Sequence, residues 1–287
     1  MTSILQAISD IHRQLTGRYP KSEIESFIRI LFGHYLGMSS AQIHLSPDMV
    51  ISSDDETRLK MAVDDLTKFR PIQYIIGKSE FYGLTFKVSP DVLIPRPETE
   101  ELVDWIVREN NHRSGMKILD IGAGSGCIAI SLATSLPNTV VWAIDNSDAA
   151  LAVASENAKI NGVTVNYMIA DMLSDAIIDF FPEAFFDMIV SNPPYIALSE
   201  KQLMHPNVLE YEPHSALFPQ GNDPLVFYRK IANVASRWLK KDGRLFFEIN
   251  EAFPEEVSII LAQTGYSDIT RQKDINDKWR MISAKFV

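Results

Sequence analysis

The chain has 287 residues, 46% of them hydrophobic and 22% charged, enough for one large core and a small second one, which excludes a generally disordered protein. Its 27 Lys and Arg against 37 Asp and Glu leave a net charge of −10, which argues against a protein that grips nucleic acid by phosphate neutralisation alone. One cysteine, Cys127, excludes an intrachain disulfide and a cysteine-based metal cluster; with no signal-peptide order at the start and no apolar run of roughly 18 residues, a cytoplasmic protein is expected.

The first 70 or so residues predict three short amphipathic helices. Ile4, Ile8, Ile11 and Leu15 recur at helical spacing. A second helix is expected after Pro20, with Ser22 and Glu25 in capping-box spacing, a stripe of Ile24, Phe27, Ile28, Leu31 and Phe32, and Gly37 to close it. A third is expected from near Ser53, with Glu56 three residues on and Leu59, Ala62, Val63 and Leu66 as its stripe. This bundle takes up 1–72. Residues 73–97 alternate and hold Gly77 and Gly83, which predicts a β-hairpin linker to a larger domain over 98–287. Pro97 opens a helix whose first turn carries Glu98, Glu100 and Glu101, where acids suit the helix dipole.

From Met116 onward, strands and helices alternate. "MKILDIG", "TVVWAID", "VNYMIAD", "FDMIVSN" and "RLFFEI" read as strands, separated by amphipathic segments that include a long helix over 224–243 ending at Gly243. The tail reads as two strands about a turn near Asp274–Lys278. Repeated βα units predict an α/β domain with a parallel sheet and helices on both faces.

"ILDIGAGSGCIAI" places Gly122, Ala123, Gly124, Ser125 and Gly126 between a strand and a helix, where a tight turn and close ligand approach both favour glycine. The next strand ends in Asp145, about 20 residues on, suited to accept hydrogen bonds from ribose hydroxyls. A dinucleotide loop would space its third glycine one residue later. The G-x-G-x-G spacing after Asp120 resembles motif I of class I S-adenosylmethionine methyltransferases. Asp171, at the end of the third strand of the series, suits an adenine amino group, and Met172 its ring face. Cys127 reads as a small hydrophobe on the helix rather than a nucleophile.

The fourth strand of the series runs into Asn192-Pro193-Pro194-Tyr195. The two prolines lock two φ angles and push Asn192 into extended conformation. A planar amide or amino nitrogen is a poor nucleophile because its lone pair is delocalised. If the Asn192 side-chain carbonyl accepts one N–H and the Pro193 backbone carbonyl the other, that nitrogen is aimed at a sulfonium methyl, while Tyr195 stacks on the planar group. The expected catalytic residues are therefore Asn192, Pro193 and Tyr195, with Pro194 completing the substrate grip and no metal required.

"LIPRPETEELV", "NPPYI" and "EYEPHSALFPQGNDPLVFYRKI", in this order beside the glycine loop, resemble the release-factor glutamine methyltransferases, the PrmC/HemK family. The resemblance runs from about Pro71 to the C-terminus. It implies a class I, Rossmann-like, mostly parallel seven-stranded sheet behind an N-terminal helical bundle that docks the substrate protein. It also implies methylation of glutamine N5 in the Gly-Gly-Gln motif of peptide chain release factors, with S-adenosyl-L-methionine converted to S-adenosyl-L-homocysteine. Gly122–Gly126 would line the cofactor, Asp145 hold its ribose, Asn192–Tyr195 grip the glutamine, and Asn192 also lie near the methyl group. Many relatives carry an aromatic residue where Met172 stands. A soluble monomer that binds neither nucleic acid nor membrane is expected. Arg96, Glu98, Glu212, Glu248 and Arg280 lie in the family-like stretches, but solvated ion pairs are the plainer expectation and none is assigned a catalytic role. The rival substrates are a glutamine of a large-subunit ribosomal protein and adenine in DNA; the latter would call for a Lys- and Arg-rich insertion that the chain lacks.

Overall fold

The computed structural model describes residues 2–219 and 221–287, without the Leu198 side chain. Met1, in the expected bundle, and Gln220, in the stretch 210–231, lie outside the described residues. The chain divides into two compact units, Met1–Gly77 with His205–Tyr211, and Lys78–Met204 with Glu212–Val287.

The first unit is helical: α1 (Ile4–Leu15), α2 (Lys21–Leu36), α3 (Ser40–Leu45), α4 (Ser53–Thr67) and α5 (Ile72–Ile76). The apolar stripes of α1, α2 and α4 meet in one core that includes Ile4, Ile11, Leu15, Leu31, Phe32, Leu59 and Leu66. Two caps differ from expectation. Pro20 is the N-cap of α2 and no side chain bonds there, because Ser22 already lies inside the first turn. Ser52 caps α4 by accepting from Asp55 N at 3.1 Å, one residue ahead of the expected start.

Two further helices fell outside the expected three. In α3, Ser39 and Gln42 form a reciprocal capping box, with Gln42 Oε1 accepting from Ser39 N at 2.8 Å. Helix α5 occupies part of the stretch expected to be a hairpin linker; Gly77, at φ 69°, closes it in the left-handed region. Neither helix is long enough to display a helical period. Residues 205–211 belong to this unit, where Tyr211 OH donates to Lys68 O at 2.7 Å.

The second unit opens with an antiparallel hairpin, β1 (Lys78–Phe81) and β2 (Leu84–Lys87), and α6 (Pro97–Asn110). Then β3 (Lys117–Ile121), α7 (Cys127–Ser135), β4 (Val140–Asp145), α8 (Asp148–Ile160), β5 (Val165–Ile169) and β6 (Phe186–Ser191) follow. After short helical segments at Leu198–Leu203 and His214–Leu217 come α9 (Val226–Trp238), β7 (Leu239–Glu248), α10 (Pro254–Gln263), β8 (Tyr266–Lys273) and β9 (Trp279–Phe286). The seven-stranded sheet has the order β5-β4-β3-β6-β7-β9-β8, parallel except where β9 pairs antiparallel with β7 and with β8. Successive strand residues feed opposite layers, as period-two geometry requires: Ile118 joins Trp105, Ile128 and Leu132, whereas Leu119 joins Tyr228, Trp238 and Val257.

The long helix ends at Trp238 rather than at Gly243. Phe186 pairs with Leu239 but Met188 with Arg244, so two steps along β6 span five along β7. The extra residues form an irregular step, and a Cβ on Gly243 would lie 2.8 Å from Lys240 O. That glycine serves close backbone approach within the sheet, not the end of a helix. Among the described residues no helix is long and apolar enough to cross a membrane.

Candidate active site

Strand register builds the site. Ile121 at the end of β3 pairs with Ile144 of β4 and Ser191 of β6, so the glycine loop, Asp145 and Asn192 leave one edge of the sheet side by side. Ser191 Oγ donates to Ile121 O at 2.7 Å, which pins the two loop starts together. This carboxyl edge is where ligands of open α/β sheets bind. A cleft there is lined by Gly122–Ser125, Asp145, Asp171, Met172 and Asn192–Pro194, with Asp91, Arg96, Thr99, Cys127, Phe227 and Ile231 among its other walls.

The glycine loop is shaped by backbone. Gly122 N and Ala123 N donate to Ile144 O at 2.9 and 3.0 Å, and Gly126 N to Ala123 O at 2.8 Å. Gly126 caps α7 at φ 81°, and a Cβ there would come within 3.0 Å of Ile130 Cδ1 and 3.1 Å of Ala154 Cβ. Gly126 does not itself line the cleft; it shapes the turn that does. A Cβ on Gly124, at φ 52°, would meet nothing within 4 Å, so the space over that residue is open. Asp145 Oδ2 accepts from Gly124 N at 2.9 Å and Oδ1 from Ser147 N at 3.0 Å. Each oxygen keeps a further lone pair for a ligand hydroxyl.

Asp171 lies two residues beyond the end of β5, exposed, and accepts from Leu173 N at 2.9 Å; the neighbouring Met172 is buried in the cleft wall. Asp120, beneath the loop, is fully buried. Its Oδ2 accepts from Ala129 N at 3.1 Å and its Oδ1 has no partner among the described residues. Burial pushes its carboxyl up to about 7. Burial likewise pushes the Cys127 thiol up to about 12, which leaves it protonated and weakly nucleophilic at neutral pH.

The loop after β6 is shaped by side chains. Asn192 Nδ2 donates to Thr99 Oγ1 at 3.2 Å, Thr99 Oγ1 donates to Glu248 Oε2 at 2.5 Å, and Tyr195 OH donates to Glu248 Oε1 at 2.9 Å. Asn250 Nδ2 braces Tyr195 O at 3.2 Å. Neither Asn192 Oδ1 nor the Pro193 carbonyl is bonded to another described group. Tyr195 is not among the lining residues of the cleft; burial and the Glu248 carboxylate hold its phenol far above its ordinary pKa.

Two of the five charged residues expected in solvated ion pairs are buried instead: Glu248 at 2% and Glu212 at 4% exposure. Glu212 accepts from Arg96 at 2.5 Å and from Ile94 N at 3.2 Å, which fixes a cleft-lining arginine. Arg280 Nε meets the buried Asp274 at 3.2 Å, and Glu98 sits half-buried in the first turn of α6. Thr99 was missed by sequence reasoning: a hydroxyl in the acidic first turn of a helix is indistinguishable from ordinary N-terminal chemistry until its partner is known.

Residues 6–77 match the PrmC N-terminal domain family and residues 99–232 the Methyltransferase small domain family. The chain is 44% identical to a release factor glutamine methyltransferase of Flavobacterium psychrophilum, over 99% of this chain and 97% of that one. It is 41% identical to a release factor glutamine methyltransferase of Bacteroides thetaiotaomicron, over 96% and 97%. Among solved structures, a methyltransferase from Pyrococcus furiosus is similar in fold, with a TM-score of 0.51 at 19% identity, covering 82% of this chain and 98% of that one. With relatives of this identity aligned along nearly its whole length, the chain belongs to the release factor glutamine methyltransferase family.

Proposed function

We propose that this chain transfers the methyl group of S-adenosyl-L-methionine to the side-chain amide nitrogen of a glutamine in peptide chain release factors, the glutamine of their Gly-Gly-Gln motif. The observation that carries the reading is the pair of free acceptors, Asn192 Oδ1 and the Pro193 carbonyl, held stiffly beside a glycine-shaped cleft.

The residues present fit the methyl donor. Open space over Gly124 admits a ligand against the backbone, and Asp145 keeps lone pairs for ribose hydroxyls. Asp171 offers an acceptor and Met172 an apolar wall for a purine. When bound, the donor supplies a sulfonium methyl whose positive charge makes the thioether its own leaving group. The protein's part is alignment. Asn192 Oδ1 and the Pro193 carbonyl accept the two N–H groups of the substrate carboxamide and fix the plane of its nitrogen. Pro193 and Pro194 hold that acceptor pair rigid, since neither proline φ can relax. Tyr195, anchored through its hydroxyl to Glu248, stiffens the loop from behind.

The helical unit docks the substrate protein. Backbone bonds from Ile4 N to Met49 O and from Leu5 N to Pro47 O join the start of α1 to residues 47–49. Leu5, Met49 and Val50 on that edge are 49–59% exposed, which suits a partner that covers apolar surface.

The test is transfer of labelled methyl from S-adenosyl-L-methionine to a release factor, a large-subunit ribosomal protein and duplex DNA, side by side. Labelling of the release factor that disappears when the Gly-Gly-Gln glutamine is changed to alanine is the expected result. Labelling of DNA or of the ribosomal protein instead would overturn the reading.

A further inference from the structure

Behind the Asn-Pro-Pro-Tyr loop, Glu248 closes β7 in a nearly dry position, and its two oxygens take one hydroxyl each. An ionised carboxylate accepts hydrogen bonds and cannot donate them. Tyr195 OH, 2.9 Å from Oε1, therefore gives its proton to Glu248, and so does Thr99 Oγ1, 2.5 Å from Oε2. A hydroxyl has one proton. Once Thr99 has spent it on Glu248, only lone pairs remain to face Asn192, 3.2 Å away. The Asn192 amide has to meet those lone pairs with Nδ2, which leaves Oδ1 as the atom it offers elsewhere.

The direction of every bond in this chain is thus dictated by the carboxylate at its end. A neutral amide at 248 would remove the constraint. It could donate to Thr99, Thr99 could then donate to Asn192 Oδ1, and the Asn192 amide would turn its N–H groups outward. A substrate carboxamide nitrogen would then meet donors where it needs acceptors, the arrangement that costs most in a desolvated site.

We infer that Glu248 is a positioning residue which, acting through Thr99, sets the orientation of the Asn192 amide and so selects a substrate group that brings N–H donors. The inference rests on the reading of Asn192 as the acceptor for the methylated amide and extends it to a determinant of substrate class. Burial, with the charge of Glu98, holds the Glu248 pKa above its ordinary value against the Thr99 and Tyr195 hydroxyls and Arg280; the ionised acceptor is read from the geometry, two hydroxyls each aimed at its own carboxylate oxygen. Thr99 is itself 3% exposed, so its bond to Glu248 is shielded from water.

The experiment uses the full chain and the variants Glu248→Gln, Thr99→Val and Thr99→Ser, with a release factor as acceptor. Turnover, acceptor KM, calorimetric affinity for S-adenosyl-L-homocysteine and melting temperature are read for each. Glu248→Gln and Thr99→Val are expected to lower kcat about thirtyfold or more, with product affinity changed by less than about threefold. Thr99→Ser, which restores the hydroxyl, is expected to keep kcat within about threefold of the unaltered protein. A purely structural role for the cluster predicts that affinity and melting temperature fall together with turnover; that result overturns the inference. So does a Glu248→Gln protein with near-normal kcat. If Glu248→Gln does not fold, the Thr99 pair decides, and equal turnover of the valine and serine variants overturns the inference. Failure of the unaltered protein to label the release factor is a separate result, which removes the glutamine reading and this inference with it.

Discussion

The loop after β3 and the loop after β6 leave neighbouring strands at one edge of the sheet, yet they keep their shapes by different means. The first is held by backbone: N–H bonds from Gly122 and Ala123 to Ile144 O of the next strand and from Gly126 to Ala123 O, positive φ at Gly122, Gly124 and Gly126, and one carboxylate from the next strand. The second is held by side chains that arrive from elsewhere in the fold, Thr99 from the start of α6 and Glu248 from the end of β7. A backbone cradle recognises whatever fits against it and tolerates change in the side chains around it. A side-chain relay specifies donor and acceptor atom by atom, and loses its meaning when one member changes. The division predicts that damage to the first loop appears in binding of the methyl donor, and damage to the second in turnover.

The largest effect is expected for Asn192→Ala, which removes an acceptor from the substrate nitrogen. Turnover with a release factor should fall by at least about two orders of magnitude, equivalent to roughly 3 kcal/mol, while calorimetric affinity for S-adenosyl-L-homocysteine stays close to that of the unaltered protein. An equal loss of cofactor affinity would erase the distinction between the loops. Gly126→Ala tests the other side. Its φ of 81° and the approach to Ile130 and Ala154 force the turn to shift, so donor affinity should drop on the order of ten- to a hundredfold, with a loss of stability of about 1–3 kcal/mol. Saturating donor should recover much of kcat; if it does not, the loop contributes to alignment as well as to binding.

A smaller effect is expected for Asp145→Asn. It removes the charge and turns one acceptor of the Gly124 and Ser147 N–H groups into a donor, and should weaken donor affinity roughly tenfold, the worth of one charge-assisted hydrogen bond. Titration of the product by calorimetry reads this directly. The smallest and most conditional effect concerns Asp120. Its folded-state pKa of about 7 lies above the ordinary carboxylate range, so the folded protein holds this proton more tightly than the unfolded chain does. Its contribution to stability is therefore most favourable in acid and is lost as pH rises towards 7 and above. Asp120→Asn should gain on the unaltered protein in urea unfolding between pH 4.5 and 8, by a few kcal/mol at most. A gap between the two proteins that does not change with pH would remove the assignment.

Much of this architecture was legible because it is local. The spacing of Gly122, Gly124 and Gly126 between a strand and a helix, and Asp145 at the end of the next strand, describes one βα unit and its neighbour. Alternation of strands and helices from Met116 was enough to predict that the loops of parallel strands share an edge. What the sequence hid was of two kinds. Short helices such as α3 and α5 hold too few residues to show a period, and the step at Lys240–Gly243 hides a strand start behind a helical pattern. The relay was hidden for a different reason. Thr99 and Asn192 are separated by 93 positions, and Thr99 and Glu248 by 149, so no window of sequence contains the contact. An acid at the end of a strand reads as solvated until the fold shows that the strand beside it and the helix above it exclude water.

The place of β9 carries a consequence for how the second unit is made. It follows β8 in the chain but lies between β7 and β8 in the sheet. During synthesis β8 therefore emerges with no partner, and an unpaired strand edge waits until the residues after Lys278 have cleared the ribosome. Closing the sheet brings Arg280 O to Ile249 N at 2.8 Å, one residue beyond Glu248, so β9 adds a last hold on an end of β7 that β6 and the Tyr228 hydroxyl already grip. A nascent chain stalled before Trp279 would hold a complete glycine loop and a relay whose β7 end lacks its outer strand.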